Sequence, residues 1–110
     1  MSETNEVTRQ ILKFLFDHGV FAWRNSVGLM STAHGFYQMG KTGSPDLIAI
    51  LPPTGKFLGL ELKVSKGDRL RPAQIGFKLN AEKMGAYCLV IRSYEDFLHQ
   101  ISTGKYLTFS

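Results

Sequence analysis

The segment 47–64 constrains this chain more than any other. Two apolar runs, LIAIL at 47–51 and FLGLELKV at 57–64, are joined by PPTGK. Pro and Gly in so short a link predict a β-hairpin. Inside the second run, Glu61 and Lys63 break the apolar pattern. The period of two puts both on one face of the strand, while Leu60, Leu62 and Val64 take the other. A carboxylate and an ammonium in a central strand are costly to desolvate unless they are paired or bound to something. An E-x-K alone reads more simply as an ion pair on a solvent-facing side of the sheet.

Asp46 changes that weighing. It opens the first run, after the turn-forming Gly43-Ser44-Pro45. With the hairpin centred between Pro53 and Thr54, Asp46 falls opposite Glu61, although a bulge in PPTGK would move the register. Directly opposed β-carbons lie about 5 Å apart, so the two carboxylates repel unless a cation sits between them. The arrangement suits a hard divalent cation, Mg²⁺ or Mn²⁺, with the backbone carbonyl of Leu62 as a third ligand. Lys63 is then placed to orient, or to deprotonate, a water that attacks a phosphodiester. Orienting is favoured, because an ordinary lysine is protonated at neutral pH.

The rest of the chain fills out one domain, 1–110. Residues 4–18 read as a helix, with Val7, Ile11, Phe14 and Leu15 at helical spacing, Thr4 or Ser2 as cap and Gly19 as stop. VFAWRNSV at 20–27 reads as a strand. The stretch 28–44, with four glycines and few apolar anchors, reads as a long loop or a ragged hairpin. Pro72 starts a helix over about 72–84, ended by Gly85. AYCLVIR at 86–92 is a strand apolar enough to be covered on both faces. Ser93 and Asp96 cap a last helix over about 94–102. The order α-β-β-β-α-β-α predicts a four-stranded mixed sheet flanked by helices, an α/β fold.

Pro45-Asp46 followed at a distance by Glu61-Leu62-Lys63 matches the PD-(D/E)xK nuclease motif. The wider pattern GKTGSPDLIAI … GKFLGLELKV … RPAQIGF … GAYCLVIRS resembles the virus-type replication-repair (VRR) nucleases of that superfamily. The bare motif occurs by chance; the Gly-Ser-Pro lead-in, the Pro-Ala-Gln helix and the late strand make it specific. The resemblance spans nearly the whole chain and so implies a stand-alone member with a restriction-endonuclease-like core. It implies metal binding by Asp46, Glu61 and the Leu62 carbonyl, with Lys63 as catalytic lysine. Gln74 matches the glutamine that follows the ExK strand and would face the same cleft. An acidic residue on the first helix is also expected near the metal: Glu6, or alternatively Glu3. Arg71 stands where the family often has a helix-capping Ser or Thr, which forgoes a cap worth ~1 kcal/mol and adds a cation.

Charge supports the same direction. The chain has 13 Lys+Arg against 9 Asp+Glu, a formal net charge of +4. KVSKGDRLR at 63–71 concentrates the excess, so Lys66, Arg69 and Arg71 are expected to contact DNA phosphates. Arg24 either joins them or pairs with a carboxylate. Trp23 and Cys88 read as core residues, and His18, His34 and His99 as surface or capping residues without metal-ligand spacing. His34, near Phe36, Tyr37 and Lys41, has the best claim of the three to touch DNA. The single cysteine excludes an internal disulfide. No apolar run approaches the roughly 20 residues that span a bilayer, and the polar N-terminus lacks a signal-peptide pattern, so a cytoplasmic protein of a bacterium or phage-infected cell is expected.

The expectation is therefore a divalent-metal-dependent DNA endonuclease that selects branched DNA, with four-way (Holliday) junctions first and nicking, flap or non-specific cutting behind. One site per chain but two strands to cut predicts a symmetric homodimer. The rivals are a DNA-binding module of the same fold without turnover, and a small structural or regulatory protein whose E-x-K is a surface pair.

Overall fold

The computed structural model describes residues 2–104 and Tyr106. Helix α1 (Glu3–Asp17) leads into strand β1 (Phe21–Arg24), and a ribbon of β2 (Gly28–Thr32) and β3 (Gly35–Met39) follows. Strands β4 (Leu47–Leu51) and β5 (Lys56–Leu62) form the expected hairpin. Helix α2 (Pro72–Lys83), strand β6 (Tyr87–Ile91) and helix α3 (Tyr94–Thr103) complete the chain. The main sheet runs β1-β4-β5-β6, while β2 and β3 pair only with each other in a second sheet. β4 pairs antiparallel with both β1 and β5, and β5 pairs with β6 in parallel. A parallel pair needs a crossover, and α2 with its flanking turns supplies it.

Alternation decides what each face of the sheet does. Leu47, Ala49 and Leu51 of β4, Leu58, Leu60 and Leu62 of β5, and Leu89 and Ile91 of β6 share one face and are buried. Against them pack Val7, Ile11 and Leu15 of α1 and Phe97 and Ile101 of α3. Phe14 and Phe97 meet edge-on, ring centroids 5.4 Å apart, and tie the two helices together. Each such buried Leu, Ile or Phe is worth roughly 1.5–3 kcal/mol against exposure, so this layer carries the fold. The opposite face holds Ile48, Gly59, Glu61, Cys88 and Val90 and is covered more loosely by α2, which has no fully buried residue. β6 is therefore deeply covered on one face only, not on both as its apolar run suggests.

Several sequence boundaries move. β1 is four residues long rather than eight, because Asn25 turns into the site described below. The 28–44 stretch contains a regular hairpin. β5 ends at Leu62, so Lys63 lies one residue beyond it, although its N–H still donates to the Ile91 carbonyl at 2.9 Å. Ser2, not Thr4, caps α1 by accepting from the Asn5 N–H at 3.1 Å. Trp23 is 39% exposed and is not a core residue. Cys88 is half-buried, and burial pushes its thiol pKa up. His18 caps the end of α1, with Nδ1 2.7 Å from the Phe14 carbonyl and its ring stacked on Phe14.

Candidate active site

The register of the β4–β5 hairpin pairs Leu47 with Leu60 and Leu51 with Lys56, so extending it by one residue sets Asp46 against Glu61. Two local features hold Asp46 there. Asn25 continues β1 as a bracket: its N–H donates to the Asp46 carbonyl at 2.8 Å, and its Nδ2 donates to Ser44 Oγ at 2.7 Å and the Pro45 carbonyl at 2.9 Å. Ser44 passes the chain on by donating to the Lys41 carbonyl at 2.6 Å. Gly59 leaves room for Pro45, since a β-carbon at 59 would stand 2.6 Å from Pro45 Cγ. Gly43 admits the first turn of α2 in the same way. It has φ +84°, and a β-carbon there would fall 2.2 Å from the Ala73 carbonyl oxygen. The Gly-Ser-Pro lead-in is thus a moulded seat between β1, β5 and α2.

Asp46 Oδ2 accepts the Leu62 N–H at 2.7 Å. Because the Lys63 N–H is aimed at β6, the trans peptide it shares with Leu62 aims the Leu62 carbonyl the other way, to the side where the Asp46 carboxylate sits. Glu61 is buried, and its Oε1 accepts from Gln74 Nε2 at 3.1 Å. Gln74 Oε1 in turn accepts the Arg71 N–H at 2.8 Å, so the amide links the start of α2 to the carboxylate. Arg71 offers no side-chain cap, and the glutamine does that work instead. Burial, and then the neighbouring Asp46 carboxyl, raise the Glu61 pKa to about 8, against the pull of Lys63 and Arg71. Ionising both carboxyls in this recess is therefore costly, and a bound cation lowers that cost.

These groups open on a cleft of about 540 Å³, with Asp46, Glu61, Arg71 and Gln74 on one side and Gly28 and Gln38 of the ribbon on another. Lys63 is buried and shares the Glu61 face, but its ammonium serves a neighbouring basin. Its Nζ lies 3.9 Å from Asp68 Oδ1, and Lys66, Arg69 and Arg92 line the same basin. The basic segment is therefore divided, with Arg71 in the cleft and Lys66 and Arg69 around Lys63. Arg24 lies at a third recess that reaches Asp46 from the α1 side.

Glu6 is not brought to the site, and neither is Glu3. Glu6 pairs with Arg9 on the exposed side of α1, and that guanidinium lowers its pKa. The helical repeat explains the correction: Val7, Ile11 and Leu15 face the sheet, and Glu6 projects nearly opposite to them. The α1 residues that reach the recess beside Asp46 are Thr4, Asn5 and Thr8. Sequence reading also missed Arg92. Its Nη1 donates to the Lys63 carbonyl at 3.2 Å and to the Asp68 carbonyl, closing the turn after β5. Asn25 carried a signal, since Trp23-Arg24-Asn25 resembles the family pattern, but nothing in the sequence gave it this partner set.

Among the described residues, no three side chains of His, Cys, Asp or Glu converge as a metal cluster. A hard cation at this place would thus rely on two carboxylates, a backbone carbonyl and water, a donor set that Mg²⁺ accepts. The residues fit such an ion.

No family model matches the chain, and neither does any curated protein. A solved structure described as a VRR_NUC domain is similar to it over 93% of this chain and 97% of that one, with a TM-score of 0.70 and 22% identity. The chain therefore has the VRR-NUC nuclease fold, the mixed four-stranded sheet with flanking helices expected from the resemblance, with the β2–β3 ribbon as a further two-stranded sheet.

Proposed function

We propose that this chain, folded as a VRR-NUC nuclease domain, is a divalent-metal-dependent DNA endonuclease that hydrolyses phosphodiester bonds. The observation that carries the reading is the opposition of Asp46 and Glu61 at the open end of the β4–β5 hairpin, beside the Leu62 peptide. A protein without turnover has no use for two carboxylates held together at such electrostatic cost.

Asp46, Glu61 and the Leu62 carbonyl would hold Mg²⁺ or Mn²⁺. When bound, the cation supplies Lewis acidity for an attacking water and for charge developing on the phosphate. Gln74 keeps the Glu61 carboxylate turned into the cleft. Lys63 sets the position of the attacking water once its long contact with Asp68 yields. Arg71 meets a backbone phosphate inside the cleft, and Lys66, Arg69 and Arg24 extend the track on either side. Contacts of this kind give salt-sensitive affinity with little base readout.

Each chain has one such cleft, and cutting two strands of opposite polarity calls for two. A symmetric homodimer acting on branched DNA, four-way junctions first, fits that need. No helix among the described residues is long and apolar enough to cross a membrane. The test is incubation with supercoiled plasmid and with a synthetic four-way junction, in Mg²⁺, Mn²⁺, Ca²⁺ or EDTA. Metal-dependent cleavage abolished by Asp46→Ala and by Lys63→Ala is the expected result. Folded protein that binds DNA but cuts neither substrate under any metal would establish the binding-module reading instead.

A further inference from the structure

The β2–β3 ribbon is the least covered part of the described molecule. Its residues from Leu29 to Thr32 and from Gly35 to Gln38 are all exposed, and only the roots, Gly28 and Met39, are half-buried. Leu29 is 71% exposed, Phe36 75%, Tyr37 56% and Met30 44%. The register puts Leu29 and Phe36 on one face with Gln38, and Met30 and Tyr37 on the other with Met39. An isolated two-stranded ribbon is marginal in water, and this one has apolar side chains on both faces. Neither outer edge is paired with another strand among the described residues.

We propose that this ribbon is a dimerisation arm that packs on the same ribbon of a second copy of the chain. Charge decides between occupants. Residues 28–39 contain no Lys, Arg, Asp, Glu or Pro. A ribbon that tracks DNA phosphates would carry Lys or Arg, and this one has neither, with His34 at its turn as the one basic side chain. A free edge exposed to solvent is ordinarily guarded by charge or proline, and this one has neither. An uncharged ribbon with two open edges is self-complementary, because strands related by a two-fold axis pair antiparallel and their matching faces stack. Phe36 and Tyr37 offer on the order of 250 Å² between them at the exposures given. With Leu29, Met30 and the edge backbone, this is a substantial part of the roughly 800 Å² per partner of a standard interface.

The arm begins at the active site. Gln38, on the Leu29–Phe36 face, and Gly28, at the root of the ribbon, line the cleft with Asp46 and Glu61. Pairing of two ribbons would therefore set two clefts beside one another and make each cleft wall depend on the partner. The inference deepens the dimer reading above, and its test uses metal-free protein without DNA, so that its failure and that of the nuclease reading are distinguishable.

The test is sedimentation velocity of the full chain over a concentration series, with amide hydrogen exchange at the two ends of that series. The expected result is a dimer, with protection of ribbon amides that rises with concentration. Leu29→Glu with Phe36→Glu, at exposed positions that leave the core intact, is expected to weaken dimerisation about 100-fold or more, since each change enters the interface twice. The exchange measurement on the unmodified chain decides the matter even if that variant misfolds. A dimer that forms without protecting the ribbon overturns the arm while leaving the two-site reading in place. A monomer at all concentrations overturns the arm, and ribbon protection appearing only on addition of DNA identifies a DNA contact in its place.

Discussion

Asp46 accepts the backbone N–H of Leu62 through Oδ2 at 2.7 Å, so the proposed metal ligand is fixed by the strand that carries its counterpart, Glu61. The bond separates two roles that one substitution would confuse. Asp46→Asn keeps an acceptor for the Leu62 N–H and removes the charge. It is expected to change stability by less than ~1 kcal/mol and to abolish Mn²⁺ binding in calorimetry. Asp46→Ala leaves that N–H without its partner and is expected to cost a further ~1–3 kcal/mol in urea unfolding. Equal stability of the two variants would remove the structural half of the argument.

Glu61 predicts a pH dependence with a definite sign. Its pKa rises from an ordinary 4.5 to about 8 through burial and the Asp46 carboxyl. Between these values the folded, metal-free chain holds a proton that the unfolded chain has released, so its stability falls as pH rises across that window. Glu61→Gln removes the dependence. In EDTA, its melting temperature is expected to exceed that of the unmodified protein by ~5 °C near pH 8, and to match it below about pH 4.5. Added Mg²⁺ should stabilise the unmodified chain alone, increasingly with pH, because binding displaces the proton.

Much of this site was legible in the sequence because strand parity and hairpin register are discrete. Once PPTGK is read as a turn without a bulge, Asp46 faces Glu61, and Leu60 and Leu62 face the core. The helix-borne residues were harder. Gln74 follows from the resemblance, with its place in the first turn of α2 letting it face the cleft, whereas Glu6 answers the acidic residue that the resemblance expects on the first helix without being projected against Val7, Ile11 and Leu15. Asn25, Gly59 and Arg92 were not legible as a set, since their partners at Pro45, Lys63 and Asp68 lie 14 or more residues away in sequence and meet only in the folded chain. The ribbon was obscured for a different reason. Its pairing is local, but its glycines and the lack of a covering layer look in sequence like a loop.

The correction at α1 can be checked directly. Glu6→Ala removes only an exposed pair with Arg9. It is expected to change the rate of junction or plasmid cleavage by less than about twofold, as surface pairs contribute little. Loss of activity comparable to that of Asp46→Asn would return Glu6 to the site.

Gln74 joins the α2 start to Glu61, and its variants should divide by charge. Gln74→Ala gives up both bonds and is expected to lower cleavage about tenfold, with a stability loss of ~1 kcal/mol from the lost cap. Gln74→Glu can keep the bond to the Arg71 N–H but sets a third carboxylate against Glu61 and Asp46. Stability in EDTA should then fall further than in the alanine variant at neutral pH, and recover with Mg²⁺. The reverse order of the two variants would show that Gln74 acts through the helix start alone.

Gly59 offers the sharpest test of how the site is seated. It lies on the Glu61 face opposite Ile48, two residues before the carboxylate, and its hydrogen is all that separates β5 from Pro45. A methyl there would stand 2.6 Å from Pro45 Cγ, a contact that neither the rigid ring nor a central strand relieves without moving. Pro45 immediately precedes Asp46, so the displacement passes into the carboxylate. Gly59→Ala is expected to cost ~1–3 kcal/mol in stability and to weaken Mn²⁺ binding, although no metal ligand is altered. Pairing it with Pro45→Ala, which removes the ring atom in the way, should recover a measurable part of both losses. If the double variant binds metal no better than Gly59→Ala alone, the contact between these two residues is not what positions Asp46.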